Sequence, residues 1–167
     1  MRLLAICGSL QENSGNLTLL RLAADVAPAG VAVELYDGLA HLPHFNPDLE
    51  RSGTLTVIDE LRQAVARSDA LLIASPEYGH SLPGSLKNAI DWLIGTGELE
   101  AKLVAITCAV PALERGRRGL AALSGTLGAV SARIVFQEPI ARGPTFERDV
   151  TELLTLLVAA ANEARQA

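Results

Sequence analysis

The stretch GSLQENSGN, residues 8–16, sets Ser9, Ser14 and Asn16 just ahead of an apolar pattern with helical spacing. That chemistry suits a phosphate, because hydroxyl and amide groups can donate hydrogen bonds while free N–H groups and the dipole at a helix start favour an anion. Ser14 is equally suited to capping the helix. The spacing is neither G-x-G-x-x-G nor G-x-x-x-x-G-K-[ST], so a dinucleotide fingerprint and a nucleoside triphosphate loop are both excluded. A second stretch, SPEYGHSLPG at 75–84, is punctuated by Pro76, Gly79, Pro83 and Gly84 and carries Glu77, Tyr78, His80 and Ser81. Such a turn can present backbone donors and acceptors to a flat heterocycle, or serve as a plain connection. A third, TCAVPALERGRRG at 107–119, holds Cys108 and the basic cluster Arg115, Arg117 and Arg118.

The elements that must position these segments are legible in the apolar pattern. Runs at Leu3–Cys7, Val31–Tyr36, Ala70–Ala74, Leu103–Thr107 and Arg133–Phe136 are mostly continuous, as in strands covered on both faces. Between them, Leu55, Ile58, Leu61 and Val65 recur at helical spacing, as do Leu86, Ala89, Ile90, Leu93 and Ile94, then Phe146, Val150, Leu153, Leu157 and Ala161. Alternating strands and helices imply right-handed crossovers and a doubly wound α/β fold, with five parallel strands in the flavodoxin-like order 2-1-3-4-5 and helices on both faces. All three chemical segments then follow a strand, at the carboxyl edge where such sheets bind ligands. The least regular stretch, residues 38–53, is a long connection of the kind that is often functional.

A chain of 167 residues fits one domain, residues 1–167, with a core of Ala, Leu, Val and Ile, since aromatic residues make up only 4%. The net charge of −5 argues against nucleic-acid and membrane-surface partners. Cys7 and Cys108 lack metal-ligand spacing and signal neither a disulfide framework nor a metal site. The opening MRLLAICGSL breaks at Gly8 before a signal-peptide core is complete, and no span approaches the ~20 apolar residues of a membrane helix, so a cytoplasmic location is expected.

GSLQENSGN resembles the G-S-x-R-x-x-S-x-N phosphate loop of the NADPH-dependent FMN reductase family, which includes quinone, azo-dye and chromate reductases. PEYGHSLPGSLKNAIDW, residues 76–92, resembles that family's P-E-Y-N-x-S-x-P-G-x-L-K-N-A-I-D-W block, and LPHFNPDLE, residues 42–50, its lid. The similarity runs from Arg2 to about Thr107. It implies a flavodoxin-like fold holding the FMN phosphate at Ser9, Gln11, Ser14, Gly15 and Asn16. Pro76, Glu77, Tyr78 and Gly79 would lie along the isoalloxazine edge, with Cys108, after the fourth strand, on its other side. The implied chemistry is hydride transfer from NADPH or NADH to flavin N5 and onward to a small-molecule acceptor, with no catalytic side chain, in a homodimer or homotetramer. The rival readings are a one-electron flavodoxin-type carrier and a homologue that has lost flavin and acts as a binding protein. Carriers usually have a Thr-rich phosphate loop, which SLQENSGN is not.

Three positions depart from the family pattern. Gln11 replaces an arginine and offers phosphate only neutral contacts. Gly79 replaces an asparagine, keeping the turn while losing a side-chain amide, and the Gly-Gly pair after the fourth strand is absent. The Arg115, Arg117 and Arg118 cluster reads as a solvated helix face ahead of a site for the NADPH 2′-phosphate. His80 reads as a donor near the ring or as a loop residue, and His41 and His44 as exposed loop residues. Cys7 reads as a small core residue, and Cys108 by itself as a packing residue. Trp92 falls roughly 130° from its helix's apolar stripe, which predicts a subunit-interface anchor.

Overall fold

The computed structural model describes residues 1–53 and 55–166. Strands β1 (Arg2–Cys7), β2 (Ala32–Tyr36), β3 (Ala70–Ala74), β4 (Leu103–Val110) and β5 (Arg133–Ala141) form one parallel sheet in the order β2-β1-β3-β4-β5. The expected fold is the one observed. Helices α1 (Gly15–Asp25), α2 (Pro47–Ser52), α3 (Thr56–Arg67), α4 (Gly84–Asp91), α5 (Arg117–Ala129) and α6 (Phe146–Gln166) connect and cover it.

The pleat divides the apolar runs between two cores, because successive side chains on a strand point to opposite faces. Leu3 and Ala5 of β1, with Leu72 and Ala74 of β3, pack against Leu19 and Leu20 of α1 and Leu153 and Leu157 of α6. Leu4, Ile6, Leu71 and Ile73 face the other way, onto Ile58 and Leu61 of α3, Ile90 of α4 and Leu123 of α5. Burial on both faces explains why β1 and β3 read as unbroken apolar runs.

Several boundaries differ from expectation. β4 continues past Thr107 and β5 past Phe136, because Cys108, Ala109 and Val110 remain paired with Pro139, Ile140 and Ala141. Pro139 is tolerated because β5 is an edge strand, where a missing N–H costs no ladder bond. Leu55 is the cap of α3 rather than part of its stripe, and α4 stops at Asp91, leaving Leu93 and Ile94 beyond it. The connection over 38–53 contains a 3-10 turn at Gly38–His41 and the short α2, whose Asn46 cap accepts the Asp48 N–H at 2.8 Å.

Trp92 corrects the interface expectation. It is 2% exposed within the single chain. Its ring meets Phe45 edge-on at a centroid separation of 5.0 Å, and its indole N–H donates to the Pro43 carbonyl at 2.8 Å. The helical angle was a poor guide because Trp92 is the C-cap of α4, where the chain turns and the 42–50 segment folds over it. Asn88 completes the clamp, accepting the Phe45 N–H at 2.7 Å and donating to the Pro43 carbonyl at 2.9 Å. From α3, Arg62 reaches Glu50 at 2.8 Å and the Trp92 carbonyl at 3.0 Å. The segment resembling a lid is thus fastened to α4 and α3.

Candidate active site

The first loop leaves β1 and enters α1 at Ser14, whose Oγ accepts the Asn16 N–H at 3.2 Å. Ser9 Oγ accepts the Gln11 N–H at 3.3 Å. Neither bond consumes the hydroxyl hydrogen. Asn16 is buried and its Oδ1 accepts the Ala109 N–H at 2.9 Å, so it ties the start of α1 to β4. Among the described residues the amides of Leu10 and Gly15 have no acceptor, while the Ser9 amide and the Ser14 hydroxyl lie near the Cys7 sulfur. Uncommitted amides at a helix start, with two hydroxyls beside them, fit an anion such as phosphate. Gln11 is exposed, and burial pushes the half-buried Cys7 thiol above its ordinary pKa.

The second loop is a two-residue hairpin. Tyr78 N–H donates to the Ser81 carbonyl and Ser81 N–H to the Tyr78 carbonyl, each at 3.0 Å, with Gly79 at φ 56° and His80 at φ 63° between them. Two successive positive φ angles define the primed hairpin turn, which explains why Gly79 can stand where the family has Asn. His80 holds this geometry without the freedom of glycine, at a cost on the order of 1 kcal/mol. The amides of Gly79 and His80 have no acceptor among the described residues and are free to meet a heterocycle.

Glu77 fixes the hairpin to the third segment. One carboxylate oxygen accepts the Gly119 N–H at 2.9 Å in the first turn of α5, and the other pairs with His80 Nδ1 at 3.2 Å. These contacts hold the carboxyl below the usual glutamate range, the Gly119 N–H contributing most and His80 next. A β-carbon at position 119 would lie 2.9 Å from Glu77 Cβ, so Gly119 lets α5 approach the loop. His80 therefore has a partner inside the loop.

Cys108 lies within β4 rather than after it, and is 1% exposed. Burial raises its thiol to about 12, so it stays protonated at neutral pH. Its sulfur fills the space that a β-carbon at Gly116 would need, and Gly116, at φ 84°, is the N-cap of α5. Asn16, Pro76, Glu77 and Cys108 share the lining of a cavity of 520 Å³ with His80 and Arg118. Ser9 and Gln11 instead line a cavity of 440 Å³ with Arg21, Tyr36 and Asp37. Arg117 is committed to Glu138 at 3.0 Å, whereas Arg115 and Arg118 line the 520 Å³ cavity instead of a purely solvated face. Sequence reasoning missed Arg142, just beyond β5, whose side chain packs against Gly15. Nothing in its local sequence marks it.

A family model for NADPH-dependent FMN reductases matches residues 1–143. The chain belongs to this family. It is 39% identical over 92 residues to an NAD(P)H-dependent FMN reductase of Pseudomonas aeruginosa, covering 55% of this chain and 49% of that protein. Against a quinone reductase of Escherichia coli it is 33% identical over 94 residues, or 56% of this chain and 50% of that protein. The matched region thus spans about half the length of these relatives. Among solved structures, the flavoenzyme NAD(P)H:(acceptor) oxidoreductase of Paracoccus denitrificans superposes with a TM-score of 0.75 at 22% identity, over 95% of this chain and 97% of that one. An azoreductase from Bacillus anthracis superposes at 0.62 with 18% identity over the full length of both. At these identities the likeness is one of fold, and it places this FMN reductase family member among flavodoxin-like structures.

Proposed function

We propose that residues 1–167 form a single FMN-binding domain that oxidises NADPH or NADH and reduces a small acceptor of the quinone type. The observation that carries this reading is the pair of loops after β1 and β3, which leave backbone donors uncommitted at the carboxyl edge of the sheet. FMN, when bound, supplies the hydride-accepting N5 and passes the electrons onward. On this reading the Leu10 and Gly15 amides, with the Ser9 and Ser14 hydroxyls, hold the phosphate. Asn16 holds the start of α1 against β4, and Pro76 to Gly79 line the ring. The Gly79 and His80 amides oppose negative charge that grows on the reduced ring, while Glu77 keeps their hairpin docked on α5. Cys108, protonated and buried, is a wall of the cavity. Arg115 and Arg118, which share the lining with Glu77 and Glu114, are the cationic groups there that could pair with the phosphates of a nicotinamide dinucleotide.

A cytoplasmic location and a homo-oligomer complete the reading; no described helix is long and apolar enough to cross a membrane. With Trp92 committed to its own chain, an interface would have to use another surface. The test is to reconstitute with FMN, remove free flavin and add NADPH without oxygen. Retained flavin whose visible band bleaches supports the reductase. Retained flavin that bleaches with neither NADPH nor NADH favours a one-electron carrier, and a chain that neither retains flavin nor bleaches it as an added substrate favours a binding protein.

A further inference from the structure

Gln11 leaves the phosphate loop without the arginine of its family pattern, yet a guanidinium reaches the loop from elsewhere. Arg142 follows β5, and its N–H donates to the Val110 carbonyl at 2.8 Å, extending the β4–β5 ladder by one bond. That bond fixes where its side chain starts. The side chain lies over the first residue of α1: a β-carbon at Gly15 would be 3.3 Å from Arg142 Cδ, 3.5 Å from Nη1 and 3.6 Å from Ala109 Cβ. Glycine at position 15 leaves the room that this approach uses.

The electrostatics of this position are unusual. A cation is favourable near a helix carboxyl end and unfavourable near the amino end, where the dipole is already positive. Among the described residues no carboxylate makes a salt bridge to Arg142, and no side-chain hydrogen bond engages its guanidinium. The helix start, with its uncommitted Gly15 N–H, and the guanidinium therefore bring two sources of positive potential together without a paired carboxylate. An anion would relieve both at once. Arg21 also lies near the loop, but it sits well down α1, on the side of the 440 Å³ cavity, while Arg115 and Arg118 line the 520 Å³ cavity with Asn16.

We infer that Arg142 supplies the charge-assisted contact to the flavin phosphate that Gln11 does not provide. The inference rests on the proposed FMN site. The turn between β5 and α6 thereby becomes part of the cofactor site.

The test compares FMN with riboflavin, which lacks only the phosphate. Dissociation constants are measured by quenching of flavin fluorescence for the wild-type chain and for Arg142→Ala, Arg142→Lys and Arg21→Ala. Arg142 is exposed, so the variants are expected to fold, and circular dichroism with thermal unfolding checks this. Loss of one charge-assisted contact predicts FMN affinity falling roughly tenfold to a hundredfold in Arg142→Ala. Riboflavin affinity should stay within about twofold, Arg142→Lys should recover part of the loss, and Arg21→Ala should resemble the wild type. An Arg142→Ala variant that keeps its preference for FMN over riboflavin overturns the assignment, as does equal loss of both flavins. Selective loss of NADPH relative to NADH, with FMN affinity intact, overturns it in favour of a nicotinamide phosphate. A wild-type chain that binds neither flavin overturns the FMN reading itself, and this inference with it.

Discussion

The block from Ser75 to Trp92 divides into two halves that treat their polar groups in opposite ways. In the hairpin half, the Gly79 and His80 amides are left without acceptors, and the backbone is held at two positive φ angles to achieve it. In the helical half, Asn88 uses both ends of its amide and Trp92 its indole N–H to pin the Pro43–Phe45 backbone. Both halves belong to one continuous sequence signature, yet the hairpin leaves its turn amides free while Asn88 and Trp92 spend their polar groups within the chain. Similarity to a family block therefore does not give each of its residues a place at the cofactor; the state of the hydrogen-bonding groups separates binding surface from scaffold.

The largest expected effect breaks the scaffold half. Trp92→Ala removes a fully buried ring and the bond to Pro43, and should cost about 3–5 kcal/mol in denaturant unfolding. The size of the native species should not change. A variant that kept its stability but fell to a smaller species would return Trp92 to a subunit interface. Next, Gly119→Ala pushes a methyl group into Glu77 Cβ and should displace the hairpin, weakening flavin retention about tenfold with a smaller change in melting temperature. Equal flavin affinity in this variant would show that the Glu77–α5 anchor has no bearing on the binding half.

His80→Gly should stabilise the chain by on the order of 1 kcal/mol by relieving its left-handed backbone, with flavin affinity little altered. Its contact with Glu77 is exposed and worth little. A destabilised His80→Gly would mean that the imidazole contact outweighs the strain. The smallest effect is in the pH dependence. Glu77 has a depressed pKa, so its contribution to docking is present above the ordinary glutamate value of about 4.3 and is lost as pH falls through the lower folded value. Flavin retention should be level from neutrality to about pH 5 and decline in stronger acid, and Glu77→Gln should remove this part of the decline.

The fold was legible because its cause is local and repeated. Runs such as Ala70–Ala74 must be covered on both faces, and the spacing of Val150, Leu153, Leu157 and Ala161 can bury only one side of a helix. The turn at Gly79 was legible for a similar reason, since glycine is a conformational signal in its own right. Strand ends were less so: Cys108 to Val110 extend β4 because β5 remains alongside, which is a property of the pair. The place of Cys108 is likewise tertiary: its sulfur fills the space over Gly116, which its neighbours in the chain do not encode.

By itself the sequence determined the alternation of strands and helices and the polar, Gly- and Pro-marked loops after the strands, because hydrophobic periodicity and turn chemistry act over a few residues. Tertiary structure alone decided that Trp92 faces Phe45, that Glu77 docks on α5 and that Arg142 stands beside Gly15. Those contacts join residues far apart in the chain, and a side chain's partner is chosen by the packing of whole elements, which local residue preferences do not encode.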